Sequence, residues 1–476
     1  PGILDAVTTG LRDKDVSVIV AAATAAEALK DPSLGAVVVE VLTGLQTNPP
    51  ETPAEPESRE AAEDAYGSAR IALIRAAGAL RNRDATQLLA LILGSPQAQT
   101  GRRGGDEDDA LRIAAALALG AISDPSAVEG LTRALQPAAR FENDELATAV
   151  LAALTQYDTP EALQAWGPRL CASSQGGSDD GAEPQPVLLK KLVSSCGTPG
   201  IYRAWILQET TVLSEESLRA LANMAQDAPP EWWPGLVLIA KRCLETRKSD
   251  AGQKDTEKDA MAAAAEILAK APDGPEIQEA LFDAFEEAPS LLSKPLAETF
   301  RKTRDPEMLP VLKDRYSAID RMYQPPAASG PDGRERSGPA AADDDRLSET
   351  DRNRLVAAIA EALGHIGGKD AARELGRMSY AEESPQVLAA VIEALARTQS
   401  GEAVRYLGRL ARGHPETARV AARALIGAAD VNVEEARKTF ERLTKGFDPY
   451  LAAIGADGLY ALDAKGLLKP EETPAL

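Results

Sequence analysis

At 476 residues the chain is longer than a single hydrophobic core keeps growing, so it is either several domains or an elongated array. Hydrophobic residues make up 44% of it, as in folded proteins, but aromatics only 4%; alanine therefore supplies much of the apolar content and lets helices approach closely. Lys and Arg number 52 against 73 Asp and Glu, and the resulting net charge of -21 opposes wrapping a phosphate backbone, so nucleic acid is excluded as a first-choice partner.

Apolar residues recur at helical spacing between Gly and Pro punctuation, and no run alternates as a strand would. In chain order, the pattern predicts a helix from Ile3 to Leu11, a polar turn Arg12-Asp13-Lys14-Asp15, a helix from Val16 to Leu29, a turn Asp31-Pro32-Ser33 and a helix from Leu34 to Leu45. The turn is informative because Asp caps the free amides of a new helix while Pro fits its first turn. The same device recurs at Asp124-Pro125 and Asp305-Pro306, and more loosely at Asp158-Thr159-Pro160 and Asp273-Gly274-Pro275. Val16 to Leu29 is also the longest apolar stretch, but Ser17, Thr24 and Glu27 interrupt it well short of the roughly 20 residues of a membrane span. The first helix reads as the second half of a repeat and the chain opens at Pro1 without a methionine, which points to upstream residues lost by processing or trimming.

Ala118-Leu119-Gly120-Ala121-Ile122 is answered downstream by Ala362-Leu363-Gly364-His365-Ile366, a helix end and tight turn written twice. Taking the leucine that ends the first helix of each pair as a marker, Leu363 to Leu395 is 32 residues, whereas Leu29 to Leu80 is 51 and Leu80 to Leu119 is 39. The excess falls in insertions: Asn48 to Asp64, Gln97 to Asp109, Ala172 to Pro186, Arg247 to Asp259 and Gln324 to Thr350. Each is expected to follow the second helix of one pair and precede the first helix of the next. The expected fold is all-α, a right-handed α-solenoid of roughly eleven antiparallel helix pairs with long inter-repeat insertions on one edge. Its expected parts are regular repeats over 1–171, an irregular aromatic-containing centre over 172–323, a Pro/Gly/Asp-rich insertion over 324–350 and regular repeats with a tail over 351–476. The last stretch, Asp448 to Leu468, reads as a final pair with a wettable outer face.

These phrases resemble the bacterial HEAT-like repeats of the type first noted in phycobilin lyases. Asp13-Lys14-Asp15 matches that pattern's aspartate pair, Leu111-Arg112 with Ala114-Ala115 and Leu119-Gly120 its first helix, and Ala362-Leu363-Gly364 with Ile366-Gly367 that helix's close. The likeness covers residues 11–45, 109–136 and 351–430 and fades between about 172 and 350. The resemblance implies an α-solenoid that binds other proteins and implies no active site. The His-Glu pairs of the deoxyhypusine hydroxylase type are not matched, since His365 and His414 are followed by isoleucine and proline.

Neither histidine has a Cys, His or acidic residue at a ligand spacing, so no metal and no cofactor is expected. Gly364 to Lys369 mimics a phosphate loop, but its glycine spacing is one residue short, Asp370 stands where Ser or Thr is required, and it joins two helices; it reads as a repeat turn. Cys171, Cys196 and Cys243 form no CxxC site; Cys171 and Cys196 close two neighbouring helices and are either buried thiols or a bridge. That placement and the missing start favour the periplasm of a Gram-negative cell slightly over the cytoplasm. The acidic clusters Asp106-Glu107-Asp108-Asp109 and Asp343-Asp344-Asp345 lack the register of a calcium loop and read as solvated segments, with docking to a basic partner as the functional alternative and calcium as the weaker one. All four tryptophans, Trp166, Trp205, Trp232 and Trp233, fall in one stretch; they either fill an irregular core or anchor a partner, with Trp232-Trp233 favoured as anchors because one of two adjacent residues must face outward. The expected function is a non-catalytic scaffold or adaptor that binds proteins along its concave face and loop-bearing edge within a larger bacterial assembly. The alternative is a cofactor-binding or lyase-type protein with its pocket in the aromatic centre.

Overall fold

A computed structural model describes residues 2–47, 56–94, 105–135, 144–171, 186–208, 213–247, 255–323, 347–413 and 415–468. Among these residues every regular element is helical, as the periodicity predicts. Two compact units divide the chain, Pro1–Ala220 and Leu221–Leu476.

The first unit contains α1 (Gly2–Leu11), α2 (Val16–Leu29), α3 (Gly35–Thr47), α4 (Pro56–Ala79), α5 (Thr86–Leu93), α6 (Gly105–Ile122), α7 (Val128–Ala134), α8 (Asp144–Leu154), α9 (Pro160–Trp166), α10 (Pro168–Cys171), α11 (Pro186–Cys196) and α12 (Ile201–Leu207). Helix α13 (Glu215–Met224) carries the division between units. The second unit continues with α14 (Trp233–Arg247), α15 (Asp255–Lys270), α16 (Pro275–Phe285), α17 (Pro289–Lys302), α18 (Leu309–Met322), α19 (Glu349–Ile366), α20 (Gly368–Ala381), α21 (Pro385–Arg397), α22 (Gly401–Leu410), α23 (Pro415–Ala428), α24 (Val433–Thr444) and α25 (Pro449–Ala464).

Packing follows a repeat: first helices stack on first helices (α2 on α4, α4 on α6, α6 on α8; α15 on α17, α17 on α19, α19 on α21), and second helices stack on second helices (α5 on α7; α20 on α22, α22 on α24). Such two-layer stacking of helix pairs is the α-solenoid plan. Helix α1 packs on α2 and α3, in the place of a second helix, as its sequence predicts. The terminal stretch gives one helix, α25, in place of the expected pair, and its exposed side carries Asp457 together with Tyr450 and Tyr460.

The turn that ends a first helix is written in backbone angles. Lys30, Arg81, Ser123, Gly367 and Gln399 all take a positive φ, of 53°, 48°, 55°, 73° and 49°. That residue closes the helix, and a side chain just after it opens the next: Asp31 accepts from the Ser33 amide at 3.0 Å, Asn82 from Asp84 at 3.1 Å, Asp124 from Ser126 at 3.0 Å and Ser400 from Glu402 at 3.3 Å. These equivalences correct the leucine register used above. Arg81 and Ser123 are counterparts, so Leu80 corresponds to Ile122, and the repeat interval there is 42 residues rather than 39. Leucine occupies more than one buried position of a first helix, so a leucine alone does not fix its register.

The Ala-Leu-Gly phrase has a packing cause. A Cβ on Gly120 would stand 2.8 Å from Ala153 Cα, and one on Gly364 2.8 Å from Ala394 Cα; Gly78 meets Ala118 in the same way. Each glycine sits where the backbone of the next first helix crosses, and only the missing side chain allows that approach.

Basic side chains stitch successive repeats. Arg112 of α6 donates to the Leu93 carbonyl at the end of α5 at 3.2 Å, and Arg169 of α10 to the Leu135 carbonyl after α7 at 3.1 Å. Lys302 of α17 donates to the Ala269 and Ala271 carbonyls at the end of α15, and Lys270 of α15 to the Ala222 carbonyl at 2.9 Å. Each supplies a donor to a helix end whose last carbonyls have no partner within the helix.

Candidate functional site

The sequence-predicted positions are dispersed. Trp166 is completely buried, its ring centroid 6.0 Å from that of Tyr202, so it fills the core and presents nothing to a partner. Trp205 is half-buried and lies against Gly167, whose missing side chain receives the indole. The same cluster is closed by Tyr157, which donates to the Leu119 carbonyl at 2.6 Å, and by Tyr202, which donates to Asp158 at 3.1 Å. Lys191 pairs with Asp158 at 2.8 Å and stands over the Tyr202 ring. These aromatics pack against one another, Trp166 on Tyr202 and Trp205 on Gly167.

Trp232 and Trp233 are both half-buried at the start of α14. Trp233, Val237, Lys241 and Leu244 follow helical spacing, and Lys241 and Leu244 line a groove against Glu276, Glu279, Ala280 and Asp283 of α16. Asp106 to Asp109 do not end a loop, as expected, but lie within the start of α6. Asp109 pairs with Arg112 at 3.5 Å. Asp343, Asp344, Asp345 and His414 lie outside the described residues. His365 is exposed at the end of α19; partial burial, then Arg304 and Arg397, hold its pKa below the ordinary imidazole value. No disulfide joins Cys171 and Cys196, and burial pushes the Cys196 thiol up to about 12. Among the described residues no group of three or more His, Cys, Asp or Glu could hold a metal, and no helix is long and apolar enough to cross a membrane.

The surface with the most developed binding chemistry is one the motifs above do not include. Leu375-Gly376-Arg377 in α20 recurs 32 residues later as Leu407-Gly408-Arg409 in α22, and Arg373 recurs as Arg405. Four arginines thus stand at i and i+4 on the exposed side of two neighbouring second helices. Tyr380, 64% exposed, and half-buried Tyr406 accompany them with ring centroids 6.5 Å apart, edge to face. Tyr406 is seated over Gly376, where a Cβ would overlap its ring. Arg409 donates to the Tyr380 hydroxyl at 3.4 Å and lies 5.8 Å from the Tyr406 centroid.

Below this face α20 is held in place by a buried ion pair. The Glu382 carboxylate, 1% exposed, accepts from Arg352 Nη1 at 2.8 Å and Nη2 at 3.0 Å and from the Tyr316 hydroxyl at 2.7 Å. Arg352 also reaches Asp320 at 2.6 Å. Burial, then the bond to Glu382, raise the Tyr316 pKa above the ordinary phenol value. Glu382 directly follows α20, so three elements, α18, α19 and the end of α20, are tied at one carboxylate two residues from Tyr380. The repeat of Leu-Gly-Arg was the signal in the sequence for this site; its polar members read as an ordinary solvated face until the packing places them side by side.

Stacked helix pairs with one exposed, chemically distinct layer define an all-α helical-repeat protein. No protein-family model matches the chain, and no curated protein matches it. Solved structures similar to it include a chain from the study of a conserved phosphorylation switch controlling the interaction between cadherin and beta-catenin. That likeness has 14% identity, covers 97% of this chain and 99% of that one, and has a TM-score of 0.29. Another is importin beta, crystallised in an ammonium sulfate condition, at 11% identity over 98% of this chain and 70% of that one, with a TM-score of 0.27. At such scores neither likeness carries an argument about function.

Proposed function

We propose that this protein is a non-catalytic HEAT-like scaffold that binds other proteins through the exposed layer of second helices, as a subunit of a larger bacterial assembly. The observation that carries the reading is the array of Arg373, Arg377, Arg405 and Arg409 with Tyr380 and Tyr406. Arg and Tyr dominate binding hot spots, and a chain of net charge -21 needs no such array for solubility. The half-buried Trp232-Trp233 pair at the start of α14 is a second candidate surface. Trp205 belongs to the packed cluster of the first unit and is the weaker anchor. The acidic stretches at 106–109 and 343–345 are proposed as contacts for basic partners rather than calcium sites. Crosslinking mass spectrometry on the protein at native abundance tests the reading: crosslinks from Lys369 or Lys241 to other proteins are expected, and their absence across the whole chain would overturn it.

A further inference from the structure

Resting on the scaffold reading, we infer that the α20/α22 face binds a carboxylate-rich peptide segment of its partner. Three features on this face select that chemistry. The first is charge: on a strongly acidic chain, four exposed arginines are gathered on two adjacent helices, and Arg409 has a tyrosine hydroxyl rather than a carboxylate as its contact. The others are only lightly held. Arg373–Asp370, Arg377–Glu374 and Arg405–Glu402 each meet at 3.4 Å within one helix, with the arginine side chains 52%, 68% and 55% exposed. At that distance each guanidinium is only loosely engaged and keeps N–H donors free for an incoming carboxylate, while Glu374 stays buried beneath Arg377.

The second feature is the choice of residue. All four positions carry Arg rather than Lys, and guanidinium forks pair bidentately with carboxylates where an ammonium group acts as a point charge. The third is spacing. Residues at i and i+4 on a helix are separated by about 6 Å along its axis. Alternate side chains of an extended peptide are about 6.6–6.8 Å apart, so acidic residues at every second position match Arg373/Arg377 or Arg405/Arg409 in register. Tyr380 and Tyr406 supply an aromatic floor between the arginines, with the Tyr406 ring seated over Gly376.

Nucleic acid fits less well. A polyanion longer than the array would run beyond it onto acidic surface such as exposed Glu383, while a short peptide stays within about one Debye length, roughly 8 Å at physiological salt, of the arginines.

The test is fluorescence anisotropy of the full chain with a fluorescein-labelled octaglutamate peptide at physiological salt. Saturable binding is expected, weakened about tenfold or more by Arg377→Glu with Arg409→Glu, and little changed by Arg133→Glu, an exposed arginine of α7. Arg377→Lys with Arg409→Lys keeps the charge and is expected to lie between the two, which isolates the fork from simple attraction. Circular dichroism melts of each variant establish that the fold is retained; if the Glu double variant does not fold, the Lys variant carries the test. Absence of saturable binding, equal binding by the Glu double variant, equal binding by octalysine or tighter binding by a single-stranded oligonucleotide of eight phosphates would overturn the inference. If the peptide fails while native crosslinks still reach other proteins, the peptide chemistry falls and the scaffold reading stands; if both fail, the scaffold reading falls as well.

Discussion

Gly364 and Gly376 stand twelve residues apart, one in a first helix and one in the second helix that follows, and what enters each notch differs. At Gly364 it is the backbone of the next first helix, with Ala394 Cα 2.8 Å from where a Cβ would be; at Gly376 it is the ring of Tyr406 from the next second helix. The first-helix layer is thus set at these crossings by main chain against main chain, which cannot move aside, and its buried face is mostly aliphatic. The second-helix layer is set by a side chain that can rotate, and it leaves Tyr380 and four arginines in water. One layer fixes the repeat geometry, and the other is free to carry chemistry.

The strongest way to break the distinction is at the tie between the layers. Glu382→Ala leaves Arg352 and the Tyr316 hydroxyl without their buried carboxylate and is expected to cost about 3 kcal/mol, read as a lowered denaturant midpoint. An unchanged midpoint would mean that Asp320 alone satisfies Arg352. Next in size, Gly364→Ala is expected to lose about 1–3 kcal/mol through overpacking against Ala394. Gly376→Ala is expected to lose less stability, because Tyr406 can swing away, but to weaken octaglutamate binding; equal destabilisation by the two substitutions would erase the difference between layers.

A pH titration sharpens the same contrast. Burial first, then nearby carboxylates, raise the pKa values of Tyr157, Tyr202 and Tyr316 above the ordinary phenol value. A raised folded-state pKa contributes stability that is complete below the unfolded value of about 10 and is lost as pH rises through the folded value. Absorbance of the folded protein at pH 11 should show these three of the nine tyrosines still protonated, with unfolding in strong alkali. At the acid end, hydrogen bonds from Ser17, Ser33 and Ser126 hold Asp15, Asp31 and Asp124 below the ordinary carboxylate value. Their stabilisation is present above about pH 4 and disappears as pH falls. Smallest of all, Gln399→Gly should stabilise by about 0.5–1 kcal/mol, since its φ of 49° suits glycine; a loss would show that the Gln side chain makes a contact that outweighs the strain.

Much of the frame was legible in sequence because local rules write it. Val16–Leu29 is the predicted helix, and Asp31, Asp124 and Asp305 cap as Asp-Pro implies. The register of Leu80 was not legible, because a left-handed Arg81 carries no mark in its residue type. Trp166 was equally ambiguous: whether an indole is core or surface depends on the neighbours that close over it, here Tyr202 and its own cluster. The arginine face escaped because four solvated residues on two helices become one surface only when the repeats stack.

The stitching of repeats by Arg112, Arg169, Lys270 and Lys302 has a direction. In every case the donor belongs to a later helix pair and the acceptor carbonyl to an earlier one. As a ribosome releases the chain from its amino end, these four helix ends therefore wait with a bare carbonyl edge until the donor of the next pair emerges. Shortening the protein from its carboxyl end recreates that waiting state permanently, while shortening it from the amino end removes acceptors and leaves only a long cation that can turn to water. At these four joints a helix end is completed by the repeat that follows it in the chain.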